Sequence, residues 1–183
     1  EYINPDIVQI SSKDESDKIN ILKYILRQDP DVIVVGEIRE NNFAKLLFDS
    51  AVTGHLVFST IHTKNVFLIL QRLKMLGVEL KNLSESIDLL LNQRLIPKKC
   101  EHCNGKGCNT CYFTGKRGYV TVFEALIVTD NLKRDISINK SISFIKEKYK
   151  QTESYIDPSI RLRELLDNSL ISEDQYYTNL HSF

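Results

Sequence analysis

The 183-residue chain reads as an α/β protein. Two short apolar runs, Val32-Ile33-Val34-Val35 and Leu56-Val57-Phe58-Ser59-Thr60, are each followed by an amphipathic stretch with helical spacing. That alternation of strand and helix is the pattern of an α/β sandwich. All four cysteines fall within one short segment, Cys100 to Cys111, and mark a small insertion in the fold.

The elements follow in order. Residues 6–10, Asp-Ile-Val-Gln-Ile, are expected to form a short strand. Ser12 and Glu15 have the spacing of a capping box for the next helix, whose stripe is Ile19, Leu22, Ile25 and Leu26. Pro30 disfavours helix at Asp29, so this helix is expected to stop near Gln28. The continuous β-branched run at 32–35 predicts a strand buried on both faces. Phe43, Leu46, Leu47 and Ala51 define a second helix, which Gly54 can end. Residues 56–60 form the second strand. Val66, Ile69, Leu70 and Leu73 mark a third helix ended by Gly77, and Ile87, Leu90 and Leu91 are assigned to a fourth. After the cysteines, residues 118–128 return as a strand, and the chain from Asn131 onward is helical and more polar.

Composition narrows the function. The 24 basic and 24 acidic residues balance, so no basic footprint points to nucleic acid and no direct nucleic-acid binding is expected. No apolar run approaches the roughly 18–20 residues that would span a bilayer.

The most informative stretch is Leu26-Arg27-Gln28-Asp29-Pro30-Asp31-Val32-Ile33-Val34-Val35-Gly36-Glu37-Ile38-Arg39. A hydrophobic strand delivers Glu37 to its C-terminal end, where open α/β sheets bind ligands. A carboxylate there can orient a water molecule toward a phosphoryl group or reach Mg²⁺ through water. Read from its surroundings alone, Glu37 is more simply a turn residue at the surface. His55 and His62 bracket the second strand. Read the same way, they are structural residues held by Thr53, Ser59, Thr60 and Thr63.

Four ordered motifs alter that weighting. The 26–39 string resembles the Walker B segment of type II secretion and type IV pilus assembly ATPases. Thr53-Gly54-His55-Leu56-Val57-Phe58-Ser59-Thr60-Ile61-His62-Thr63 looks like that family's histidine box. Gln93-Arg94-Leu95 leads into paired cysteines, and Thr114-Gly115-Lys116-Arg117-Gly118 precedes Phe123-Glu124. The resemblance covers roughly residues 1–128 and weakens beyond 130. It implies a RecA-like parallel-sheet core, with Glu37 as the catalytic carboxylate and His55, His62 and Arg39 as nucleotide-sensing residues. Gly36 stands where many other ATPases carry an aspartate, as is common in this family. Glu1-Tyr2 looks like the tail of the family's acidic box.

No GxxxxGK[ST] occurs among the 183 residues. The resemblance therefore implies the part downstream of the phosphate-binding loop. Such a part is expected to expose apolar strand edge or helix face and to be inactive alone. The complete protein is expected to use ATP and Mg²⁺, to form a homo-hexamer, and to act on an inner-membrane platform protein from the cytoplasmic side. The expected divisions are residues 1–97 (ATPase core), 98–117 (zinc knuckle) and 118–183 (returning strand and helical subdomain). A second reading, from another class, is a catalytically silent zinc-containing interaction module.

Cys100-Glu101-His102-Cys103 and Cys108-Asn109-Thr110-Cys111 form a CxxC-x4-CxxC arrangement. Each CxxC aims two thiolates at one point, and two such knuckles complete a tetrahedral S₄ shell suited to structural Zn²⁺. Gly105 and Gly107 give the short loop its backbone freedom. The alternatives are redox-active thiols, or a single copy of the CxxCxGxG repeat of J-domain chaperones, a module that needs several copies.

Overall fold

The computed structural model describes residues 7–12 and 14–180. Helix α1 (Glu15–Ile25) is followed by a 3₁₀ turn over Leu26–Gln28, and Asp29 then adopts a left-handed conformation ahead of Pro30. The helix stops where the proline predicts. Its N-cap differs from the sequence expectation: the side chain of Asp14, not Ser12, accepts the N–H of Asp17 at 2.8 Å. Asp14 sits one turn ahead of the donor it caps, which makes it the better placed acceptor.

Strand β1 (Val32–Glu37), helix α2 (Asn41–Val52) and strand β2 (Leu56–Thr60) form a βαβ unit. The two strands pair in parallel, with Val32 opposite Leu56 and Glu37 opposite Thr60. Ile33 and Val57 face the core with Leu22, Phe43 and Leu47. The opposite face is open: Val34 is 77% and Phe58 54% exposed, beside Val32 and Leu56. The expectation of a strand buried on both faces is therefore corrected. Helices α1 and α2 cover one face, and no described element covers the other.

Helices α3 (Val66–Met75) and α4 (Leu80–Ser86) lead into strand β3 (Leu89–Lys99). Here the sequence reading also fails. Ile87 is extended at the end of α4, and Leu90 and Leu91 lie in β3. Leu90 is buried while Leu89 and Leu91 are exposed, an alternation of period two. The cause is a long antiparallel partner, β4 (Lys116–Ile127), which pairs from Leu89↔Ile127 to Lys99↔Lys116. The strand expected at 6–10 is not formed by residues 7–10 either. Residues 7–12 are irregular, Ile7 and Val8 are exposed, and none of the described strands pairs with them; Asp6 lies outside the described residues.

Helices α5 (Asp130–Ser137) and α6 (Ile142–Tyr149) follow, and β5 (Tyr155–Ile156) adds a third strand beside β4. The main core joins the βαβ unit, α3, α4 and the inner ends of β3 and β4. A second core, built on Ile96, Val122, Leu162, Leu165 and Ile171, packs α7 (Pro158–Asp167) and the residues before α8 (Glu173–Leu180) on the outer half of the ribbon. None of the described helices is long and apolar enough to cross a membrane.

Candidate functional site

Because β1 and β2 are parallel neighbours, their C-terminal ends lie side by side, and each delivers one polar residue there. Glu37 closes β1, and His62 follows β2. Their side chains meet at 3.5 Å, His62 Nε2 to Glu37 Oε1. Arg39 donates from Nε to Glu37 Oε2 at 2.6 Å, and its second guanidinium nitrogen contacts the same oxygen. The hydrogen bond from Arg39 holds the Glu37 carboxyl below its usual range; burial opposes the shift, and the charges of Arg39 and His62 reinforce it. An ionised carboxylate with a cation on one side and an imidazole on the other can accept a hydrogen bond from water and aim it.

The neighbouring hydroxyls are directed elsewhere. Thr60 Oγ1 donates to the Gly36 carbonyl at 2.8 Å, joining the two strand ends, and Thr63 Oγ1 donates to the Asn65 carbonyl. His62 is 86% exposed, so it projects from the edge rather than sitting in a hydrogen-bonded niche. An added Cβ at Gly36 would meet nothing within 4 Å, so space alone does not demand glycine there.

His55 is not part of this cluster. It precedes β2 at the opposite end, with Nδ1 at 2.9 Å from the Ser50 carbonyl and 3.3 Å from Thr53 Oγ1. Five strand residues, about 16 Å at strand rise, separate the two histidines.

The cysteines occupy the turn between β3 and β4. Their four Sγ atoms lie within 4.8 Å of one another. The contacts Cys100–Cys108, Cys103–Cys111 and Cys108–Cys111 are 3.9, 3.8 and 3.8 Å. A tetrahedral site with Zn–S bonds of ~2.3 Å has sulfur–sulfur edges of about 3.8 Å, so the four residues fit a Zn²⁺ ion. Both knuckles direct backbone N–H groups at sulfur: Gly107 to Cys103 at 3.1 Å and Cys108 to Cys111 at 3.2 Å. Burial pushes the Cys111 thiol up, but the N–H groups of Cys108 and Gly115 outweigh it and bring it down to about 6. Burial pushes the Cys103 thiol up to about 11. Gly115 is demanded by packing: its φ is +69°, and an added Cβ would lie 2.3 Å from the Gly105 carbonyl oxygen.

Sequence reasoning quoted Phe123-Glu124 without giving the glutamate a part. Glu124 is fully buried. Its carboxylate accepts the N–H of Val66 at 3.0 Å, the hydroxyl of Tyr155 at 2.9 Å and the amide of Asn92 at 3.3 Å. Burial and then the charge of Glu124 push the Tyr155 hydroxyl far above its ordinary range, so it remains a donor. Asn92 and Arg94 also donate to the Lys64 carbonyl. These contacts anchor the loop that carries His62. The available signal was a carboxylate between Val122 and Leu126 on the apolar face of β4.

The βαβ unit, with Glu37 at the C-terminal edge of its strands and an antiparallel ribbon beyond it, is a RecA-like α/β core. The family described as type II/IV secretion system protein matches residues 2–167, and the chain belongs to that family. It is 37% identical over 153 residues to the type IV pilus assembly ATPase PilB of Thermus thermophilus, covering 69% of this chain and 17% of that protein. It is 35% identical over 151 residues to type II secretion system protein E of Klebsiella pneumoniae, covering 70% of this chain and 30% of that one. The fold is similar to that of the Legionella pneumophila ATPase DotB, with a TM-score of 0.70 and 21% identity over 88% of this chain and 42% of that one. It is also similar to the pilus retraction motor PilT, with a TM-score of 0.64 and 26% identity over 87% of this chain and 42% of that one. The chain thus spans less than half the length of each of these relatives, from 17% to 42%.

Proposed function

We propose that this chain is the C-terminal part of a hexameric ATPase that drives type II secretion or type IV pilus assembly by MgATP hydrolysis. The observation that carries the reading is the juxtaposition of Glu37, Arg39 and His62 at the ends of two parallel strands in a member of this family. In this reading Glu37 positions and activates the attacking water. Arg39 keeps the carboxylate ionised and oriented. His62 donates a hydrogen bond to the terminal phosphate and registers its loss. His55, at the far end of β2, senses nucleotide through the strand rather than by contact.

The phosphate cradle, with its backbone amides and lysine, is supplied by residues outside the 183. Its strand and helix cover the open face of Val34 and Phe58. Residues 1–97 act as the core, 98–117 as a structural Zn²⁺ knuckle held by Cys100, Cys103, Cys108 and Cys111, and 118–183 as the returning strand with a helical subdomain. The assembly works in the cytoplasm at the inner membrane and passes its motion to a platform protein there.

The test compares the 183-residue chain with the full-length protein that contains it. The full-length protein is expected to hydrolyse ATP, and the chain alone to bind ATP weakly and turn over none. Micromolar ATP binding by the isolated chain would contradict the proposal.

A further inference from the structure

The tip of the cysteine turn carries two consecutive aromatic residues, Tyr112 and Phe113, which are 88% and 74% exposed. Both sit in the left-handed region, at φ 51° and 60°. A side chain strains that conformation, and glycine or asparagine would adopt it more readily. The backbone conformation of the turn therefore does not select two large aromatics there. They are nevertheless rigidly presented. Tyr112 N–H donates to the Asn109 carbonyl at 3.1 Å, Phe113 N–H to the Cys108 carbonyl at 2.9 Å, and Thr114 N–H to the Cys111 carbonyl at 3.1 Å. Exposed aromatics on a fixed backbone lose little freedom on binding, which is the property of interface anchors.

The surroundings on one side are predominantly basic, while Lys99 also lines a neighbouring concavity with Asp167, Glu173 and Asp174. Lys98, Lys99, His102 and Arg117 line a concavity of about 260 Å³ at the base of the turn, with Glu101 as its one acid. Lys106 and Lys116 belong to the same turn in sequence. The whole chain carries 24 basic and 24 acidic residues, so this local excess is matched by acids elsewhere in the chain. It is enough to select acidic groups but too small to hold a polyanion or a membrane surface by charge alone.

We propose that the cysteine turn is a docking head for an acidic protein segment. Apolar side chains of that segment pack on Tyr112 and Phe113, and its carboxylates enter the Lys98–Lys99–Arg117 concavity. This surface is separate from the Glu37 edge and does not depend on ATP chemistry.

The experiment places p-benzoylphenylalanine at position 112 of the full-length protein in cells and maps the crosslinked product by mass spectrometry. A crosslink to an acidic segment of another protein is expected. That segment, synthesised as a peptide, should bind the purified protein at least 10-fold more weakly after Y112S/F113S and after K98E/K99E/R117E. Zinc content and melting temperature are measured on each variant. If the charge reversals lose zinc, the Y112S/F113S pair carries the comparison, because its side chains are exposed. Crosslinking to lipid, nucleic acid, a second copy or a non-acidic segment, or to nothing, would overturn the proposal, as would a peptide whose affinity the variants leave unchanged. No arm reads ATP turnover, so failure here is distinct from failure of the ATPase reading.

Discussion

Glu124 Oε2 accepts the backbone N–H of Val66 at 3.0 Å, so a buried carboxylate on β4 pins the first residue of α3, just beyond the loop that carries His62. The negative charge also lies at a helix N-terminus, where the macrodipole favours it. Replacing Glu124 with alanine leaves Val66 N–H and the Tyr155 hydroxyl unpaired in the core. The expected cost is ~2–4 kcal/mol, which corresponds to a fall in melting temperature on the order of 5–15 °C. Thermal unfolding, with hydrogen exchange over residues 61–66, checks this. An unchanged melting temperature with unchanged exchange would contradict it.

His62 separates signalling from scaffolding. It is exposed and faces Glu37, while Thr60 and Thr63 direct their hydroxyls to backbone carbonyls. In the full-length protein His62→Ala is expected to keep its melting temperature and lose turnover or motor output. Melting and turnover measured on one preparation decide the matter. A melting drop that accounts for all the lost activity would make His62 structural.

The metal reading rests on sulfur–sulfur contacts of 3.8–3.9 Å. Elemental analysis should give about one zinc per chain, and Cys100→Ser should lower it. Because structural zinc couples to local folding, a chelator should raise hydrogen exchange in residues 98–117 before any other segment. Metal-free protein with the same exchange pattern there would end this reading.

Asp135 supplies a pH prediction. It is buried, and it accepts hydrogen bonds from Lys148 Nζ at 2.6 Å and the Tyr149 hydroxyl at 2.8 Å. The Lys148 hydrogen bond holds its carboxyl below the usual range against opposing burial, with Tyr149 assisting. A depressed folded-state pKa means stability that is fully present above the unfolded value of ~3.9 and lost as pH falls through the folded one. Melting temperature should therefore fall below about pH 4, and Asp135→Asn should flatten that fall while lowering stability at pH 7 by ~1–3 kcal/mol. Parallel acid limbs for the two proteins would contradict the assignment.

The residues differ in how plainly sequence announces them. Glu37 and His62 each follow a compact apolar run, and parallel pairing of those runs is enough to bring them together. The cysteines were legible from spacing, because CxxC geometry is local. Leu89-Leu90-Leu91 was not, since three leucines suit helix and strand equally, and only pairing with Ala125–Ile127 decides between them. The open face of β1 was missed for a related reason. Val32 and Val34 record a strand's preference, not the presence of a neighbour to cover them. Glu124 has partners 58 and 31 residues away, Val66 and Tyr155, a relationship that no window along the chain contains.

The central claim is that Glu37 performs the chemistry of an ATPase. It is tested by comparing single-turnover ATP hydrolysis and ATP affinity in the full-length protein with and without Glu37→Gln. The amide keeps the size of the side chain but cannot act as a base or hold the same charge beside Arg39 and His62. The account predicts hydrolysis slower by roughly 10²-fold or more with ATP affinity retained. An unchanged hydrolysis rate in a correctly folded Glu37→Gln protein would contradict it.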